Sequence, residues 1–205
     1  MAQPGQRARE VLEPAPPRGA MPVLAFYFCA TAFVTGAMAA HLPRFLEGAG
    51  ASEAAAIAAG ALVGPAQVAA RLVEFGLFRR VHPVWSARIA AMMHPLGAAV
   101  LGALGPAGVA LFALLHGAGN GLITIAKGTL PLAIFGPAGY GLRTGILSVP
   151  ARVALSAAPF VFGVLLDWIG TFAVVISAGL SLAAFLSLWL LRPRAAPAVA
   201  PALSD

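Results

Sequence analysis

Charge is what this chain has least of. Only 10% of its residues are Asp, Glu, Lys or Arg, and Lys127 is the single lysine. There is also one cysteine, Cys29, so neither a disulfide framework nor a thiolate metal site can form within the chain. No glycine-rich phosphate loop followed by Lys-Ser or Lys-Thr is present, so energy from ATP would have to come from elsewhere. His41, His82, His94 and His116 are scattered without metal-ligand spacing. No serine has the Gly-x-Ser-Gly setting that a serine-and-histidine protease of the intramembrane kind requires. No enzyme motif, cofactor site or metal site is therefore expected.

What is present is apolar. Hydrophobic residues make up 60% of the chain and the mean hydropathy is +0.89. About 20 apolar residues let a helix cross roughly 30 Å of hydrocarbon. Such runs occur at 22–40, 54–78, 84–104, 107–126, 144–166 and 172–191. The reading is an all-α polytopic membrane protein with six transmembrane helices in residues 21–192. Residues 1–20, with Pro4, Pro14, Pro16 and Pro17, read as a cytoplasmic linker and not a signal peptide. Residues 193–205 read as a disordered cytoplasmic tail.

The basic residues are sorted by side. Arg7, Arg9, Arg18, Arg79, Arg80, Lys127, Arg143, Arg192 and Arg194 fall on one side of the six runs, and Arg44 alone on the other. The positive-inside rule then makes both termini cytoplasmic, in the inner membrane of a bacterium if the Ala-, Gly- and Arg-rich usage reflects a high-GC genome. The net charge of +6 lies in short loops and tails facing anionic headgroups, which excludes nucleic acid as the partner and leaves the lipid bilayer.

Polar residues inside the runs are costly in lipid and are functional candidates. Gly60, Gly64, Gln67, Arg71 and Glu74 are four, three, four and three residues apart, which puts them on one helical stripe. His116, Asn120, Thr124 and Lys127 make a second stripe, and Ser148, Arg152, Ser156 and Pro159 a third. Thr31 and Thr35 add a weaker one, whereas the third run has His94 alone between its ends and the sixth only scattered serines. Four helices thus have a polar face, as expected if four line an aqueous space and two shield them.

Arg152 lies about nine residues into its run, near the bilayer centre. With no acid in its own helix, it needs Glu74, water or an anionic ligand. Gln67, His116, Asn120 and Arg152 are the candidate substrate-binding residues, with Arg152 favouring an anionic solute through its bidentate fork. His116 has a second reading, satisfied by a neighbouring helix. Arg71 and Glu74, nearer the cytoplasmic end, read with Arg79 and Arg80 as a structural charge network. Gly117 and Gly121 form a small-xxx-small pair for close helix packing.

Three segments resemble the C-terminal half of a bacterial major facilitator superfamily transporter. Gly64-Pro-Ala-Gln-Val-Ala-Ala-Arg71-Leu-Val-Glu74 with Arg79-Arg80 is similar to the family's glycine-acid-arginine loop signature, with Glu74 where an Asp is usual and a different glycine spacing. The block from His116 to Gly136 resembles the tenth helix and following loop of a bacterial subgroup, and Asp167-Trp-Ile-Gly170 the end of the eleventh. The resemblance implies secondary transport of a small solute by alternating access, with the first, second, fourth and fifth helices of a half facing the cavity. Only one half is expected here, and residues 1–20 resemble the linker between halves. A lone bundle would expose Arg152 to lipid at a cost of about 2.5 to over 10 kcal/mol. A second half or a homodimer is therefore implied as partner. The competing expectation is a truncated or non-transporting membrane protein that acts as an interaction scaffold.

Overall fold

A computed structural model describes residues 17–78 and 81–191. Most of the expected linker (residues 1–16), the tail from 192 onward, and Arg79 and Arg80 lie outside the described residues. The rest form six α-helices, with no strand among the described residues: α1 Ala20–Gly48, α2 Glu53–Val73, α3 Pro83–Leu104, α4 Val109–Phe135, α5 Tyr140–Ile169 and α6 Ala173–Ser187. Four helical stretches are long and apolar enough to cross a membrane: Ala20–Gly48, Glu53–Gly76, Pro83–Phe135 and Tyr140–Leu190. The last two each contain a pair of α-helices joined by a 3-10 turn, at Gly105–Gly108 and Gly170–Phe172. Gly105 and Gly170 take φ of +56° and +57°, which only glycine adopts without strain, so the chain breaks there.

Two helices outlast their apolar runs. α1 continues through Pro43 to Gly48, and α4 through Pro131 to Phe135. Each proline costs one backbone bond, which tertiary packing offsets. The long loop expected between Lys127 and Arg143 is consequently only Gly136–Gly139, and both cations sit on helices. Arg143 donates to the carbonyl of Phe135 at 2.8 Å, closing the exposed end of α4.

Packing is pairwise. α1 runs parallel to α5, with Gly36 against Leu155 and Arg44 against Asp167. α2 runs parallel to α4, and α3 packs antiparallel on the far side of α4. α6 lies behind, against α3 and α1. At one end Gly48 meets Thr171 and Gly50 meets Pro106, so three inter-helix turns converge there. At the other end Arg88 is buried between Trp85 and Trp189, 4.7 and 3.9 Å from their ring centres, and donates to the carbonyl of Leu188 at 3.0 Å. That guanidinium caps the C-terminal end of the last helical segment while stacking on two aromatic faces.

The distribution of polarity is the reverse of a water-soluble bundle. Thr31, His94, His116, Ser177 and Ser181 are buried, whereas Phe75 and Phe160 are 76% and 77% exposed. Trp85 and Trp189 at one end and Trp168 at the other match the aromatic belts of a membrane protein. The chain is a helical membrane protein.

Candidate functional site

The close approach of α2 to α4 builds the first polar group. A Cβ on Gly117 would lie 2.6 Å from the carbonyl of Val63, and one on Gly121 only 2.5 Å from that of Gln67. Backbone therefore meets backbone, as the small-xxx-small spacing suggests. Gly119, on the opposite side of α4, seats α3 in the same way against Ala90 and Met93.

Across the α2–α4 seam, Arg71 Nη2 lies 3.4 Å from Gln67 Oε1 and 3.5 Å from Thr124 Oγ1, donating to both. Thr124 donates to the backbone carbonyl of Asn120, and Thr35 of α1 donates to Asn120 Oδ1 at 2.6 Å. A polar chain thus crosses from α2 over α4 to α1. Arg71 makes no ion pair with Glu74 among the described residues, and Arg71 Nε and Glu74 Oε2 are buried without partners there. Arg79 and Arg80, the rest of the expected network, lie outside the described residues.

His116 turns inward. Its Nδ1 is 3.2 Å from His94 Nδ1, and His94 Nε2 is 2.9 Å from Ser177 Oγ, so α4, α3 and α6 are tied through one chain. The ring stacks on Phe112 with its plane tilted by 7°. His116, Asn120, Thr31, Thr35 and Ser181 line a cavity of about 10 Å³, the size of a single water.

Arg152 occupies a different place. It is exposed on α5 and lines a cavity of about 350 Å³ with Lys127 of α4 and Thr144 and Ser148 of α5. Phe28 and Ala32 of α1, with Leu147 and Ala151, form its apolar wall. Ser148 donates to the carbonyl of Thr144, while Thr144 Oγ1 is buried and unpartnered among the described residues.

The four candidate substrate residues are therefore not gathered in one space. Gln67 lies with Arg71, His116 and Asn120 share the water-sized cavity, and Arg152 stands in the larger one. Lys127 was legible as part of the α4 stripe but not as a neighbour of Arg152. Thr144 was missed, although it is one further step of four residues before Ser148 and Arg152.

No family model matches the chain, and no curated protein matches it.

Proposed function

We propose that the protein is one six-span half of a secondary transporter resembling the major facilitator superfamily, moving a small solute across the inner membrane by alternating access. The observation that carries this reading is Arg152, an exposed cation near the middle of α5 beside a cavity of about 350 Å³. A charge at that depth requires an aqueous space or a partner in place of lipid. Further polar groups lie on α1, α2 and α4, while α6 lies behind. A second copy or a separate half closes the open side, and both termini face the cytoplasm by the bias of the basic residues.

Access is testable without knowing the solute. In a Cys29→Ser background, Ser148→Cys should react with an impermeant maleimide in both right-side-out and inverted vesicles, because alternating access opens the cavity to each side in turn. Glu53→Cys should react only from outside, and Ala138→Cys, in the turn between α4 and α5, only from inside. Labelling of Ser148→Cys from one side alone, or from neither, sinks the transport reading and favours a scaffold. Exchanged patterns at Glu53 and Ala138 sink the orientation.

A further inference from the structure

We infer that the cavity between α4 and α5 is a binding site for an anionic head on an apolar body, such as a carboxylate or phosphate ester with a hydrocarbon group. This rests on the transporter reading and names the substrate class for it.

The site has an excess of donors. Lys127 brings three N–H groups and Arg152 five, and neither makes a hydrogen bond or ion pair among the described residues. Thr144 adds a buried hydroxyl with no partner there. Ser148 directs its own proton to the Thr144 carbonyl, leaving oxygen lone pairs that suit a protonated head or a bridging water. No acid lines the cavity. Asp167 is held by Arg44, Glu47 and Glu53 stand toward the opposite end of the bundle, and Glu74 begins the π-helical turn after α2, a helix with no substantial packing on α5.

Two cations and an unused hydroxyl around one space in a membrane call for a ligand that accepts and carries negative charge. The wall opposite is hydrocarbon and aromatic, from Phe28 and Leu147, so a bare inorganic ion would leave half the site unfilled. Such a ligand has two sources, a free organic acid or an anionic phospholipid entering from the bilayer.

The full chain in phosphatidylcholine nanodiscs provides the test, at constant ionic strength. Saturating benzoate or phenyl phosphate should raise the unfolding temperature by about 3–5 °C, while neutral, isosteric benzamide leaves it unchanged. Arg152→Gln and Lys127→Gln should each weaken benzoate about tenfold or more. Thr144→Val, which keeps shape and charge, should weaken it less but measurably. Stabilisation in phosphatidylglycerol nanodiscs, lost in the same variants and without any benzoate effect, also supports the anionic-head site and assigns its source to lipid. Equal responses to benzoate and benzamide with no variant-sensitive stabilisation by phosphatidylglycerol, or benzoate binding indifferent to all three substitutions, overturn the site. Anion binding without uptake into vesicles leaves the site standing and removes the transport reading. Uptake of neutral solutes with no anion effect does the reverse.

Discussion

His94 and His116 face each other nitrogen to nitrogen, Nδ1 to Nδ1 at 3.2 Å, inside the bundle. One ring must donate and the other accept. Ser177 gives its proton to the carbonyl of Val174, so His94 donates through Nε2 to Ser177 Oγ. A neutral His94 then accepts at Nδ1, and His116 is the donor. The chain of bonds has one direction, fixed by a backbone carbonyl of α6.

Breaking that chain should loosen α6 from α3 and α4. His94→Ala leaves His116 Nδ1 without a partner, removes the donor to Ser177 Oγ and opens a space, so a loss of about 2–4 kcal/mol is expected. Ser177→Ala should cost about 1 kcal/mol. Unfolding in detergent measures both, and a His94/Ser177 double-mutant cycle with no coupling would show that the bond carries no stability.

The α2–α4 seam makes a sharper contrast. Gly121→Ala drives a methyl into the Gln67 carbonyl and should destabilise by about 1–3 kcal/mol. Gly60→Ala, with nothing within 4 Å of the new Cβ, should be neutral or slightly stabilising. Equal effects would mean that the seam is not close-packed.

Much of this seam was legible in the chain, because Gly117, Gly121, Gln67 and Arg71 each follow the period of a single helix. The His94–His116 contact was not. Beyond its first two turns α3 shows one histidine among apolar residues, and its rotation about its own axis is set by what it packs on. A Cβ on Gly97 would meet Phe112 of α4 at 3.2 Å, and Gly119 of α4 admits Met93, so two helices must be docked before His94 acquires a direction. Lys127 follows the α4 stripe, but its neighbours were hidden for a related reason: the apolar run ends before it, whereas the helix continues another two turns through Pro131.

The ion pair of Arg44 with Asp167, at 2.5 Å, joins the same ends of α1 and α5. Both side chains are more than half exposed, at 56% and 60%, so solvent screens most of the attraction. Asp167→Asn should change stability by less than about 1 kcal/mol, and the small change should vanish in high salt. A larger, salt-independent loss would assign Asp167 another role.

His82 caps α3, its Nδ1 accepting from the N–H of Val84 at 3.2 Å. Partial burial, with a smaller repulsion from Arg88, holds its pKa below the usual 6.5. The folded state therefore resists protonation more than the unfolded chain. The cap's contribution is complete above pH 6.5 and declines as the pH falls below it. Lowering the pH from 7.5 to 5.5 should reduce the unfolding temperature, and His82→Asn, which caps at any pH, should remove roughly 2 °C of that fall. An identical pH profile in the variant would exclude His82 as a contributor.

The pairing of helices has a mechanical consequence. α2 and α4 meet through glycines, so no side-chain rotamers separate them and they can only travel as one beam. α1 and α5 form a second beam, locked where Gly36 admits the carbonyl of Leu155. Between the beams the contacts are sparser, and behind them α6 packs on α1 of the second beam but reaches the first through α3. Lys127 rides on the first beam and Arg152 on the second. Anything that grips both cations is a clasp across the joint, and its arrival or departure changes how freely the two halves of the bundle pivot.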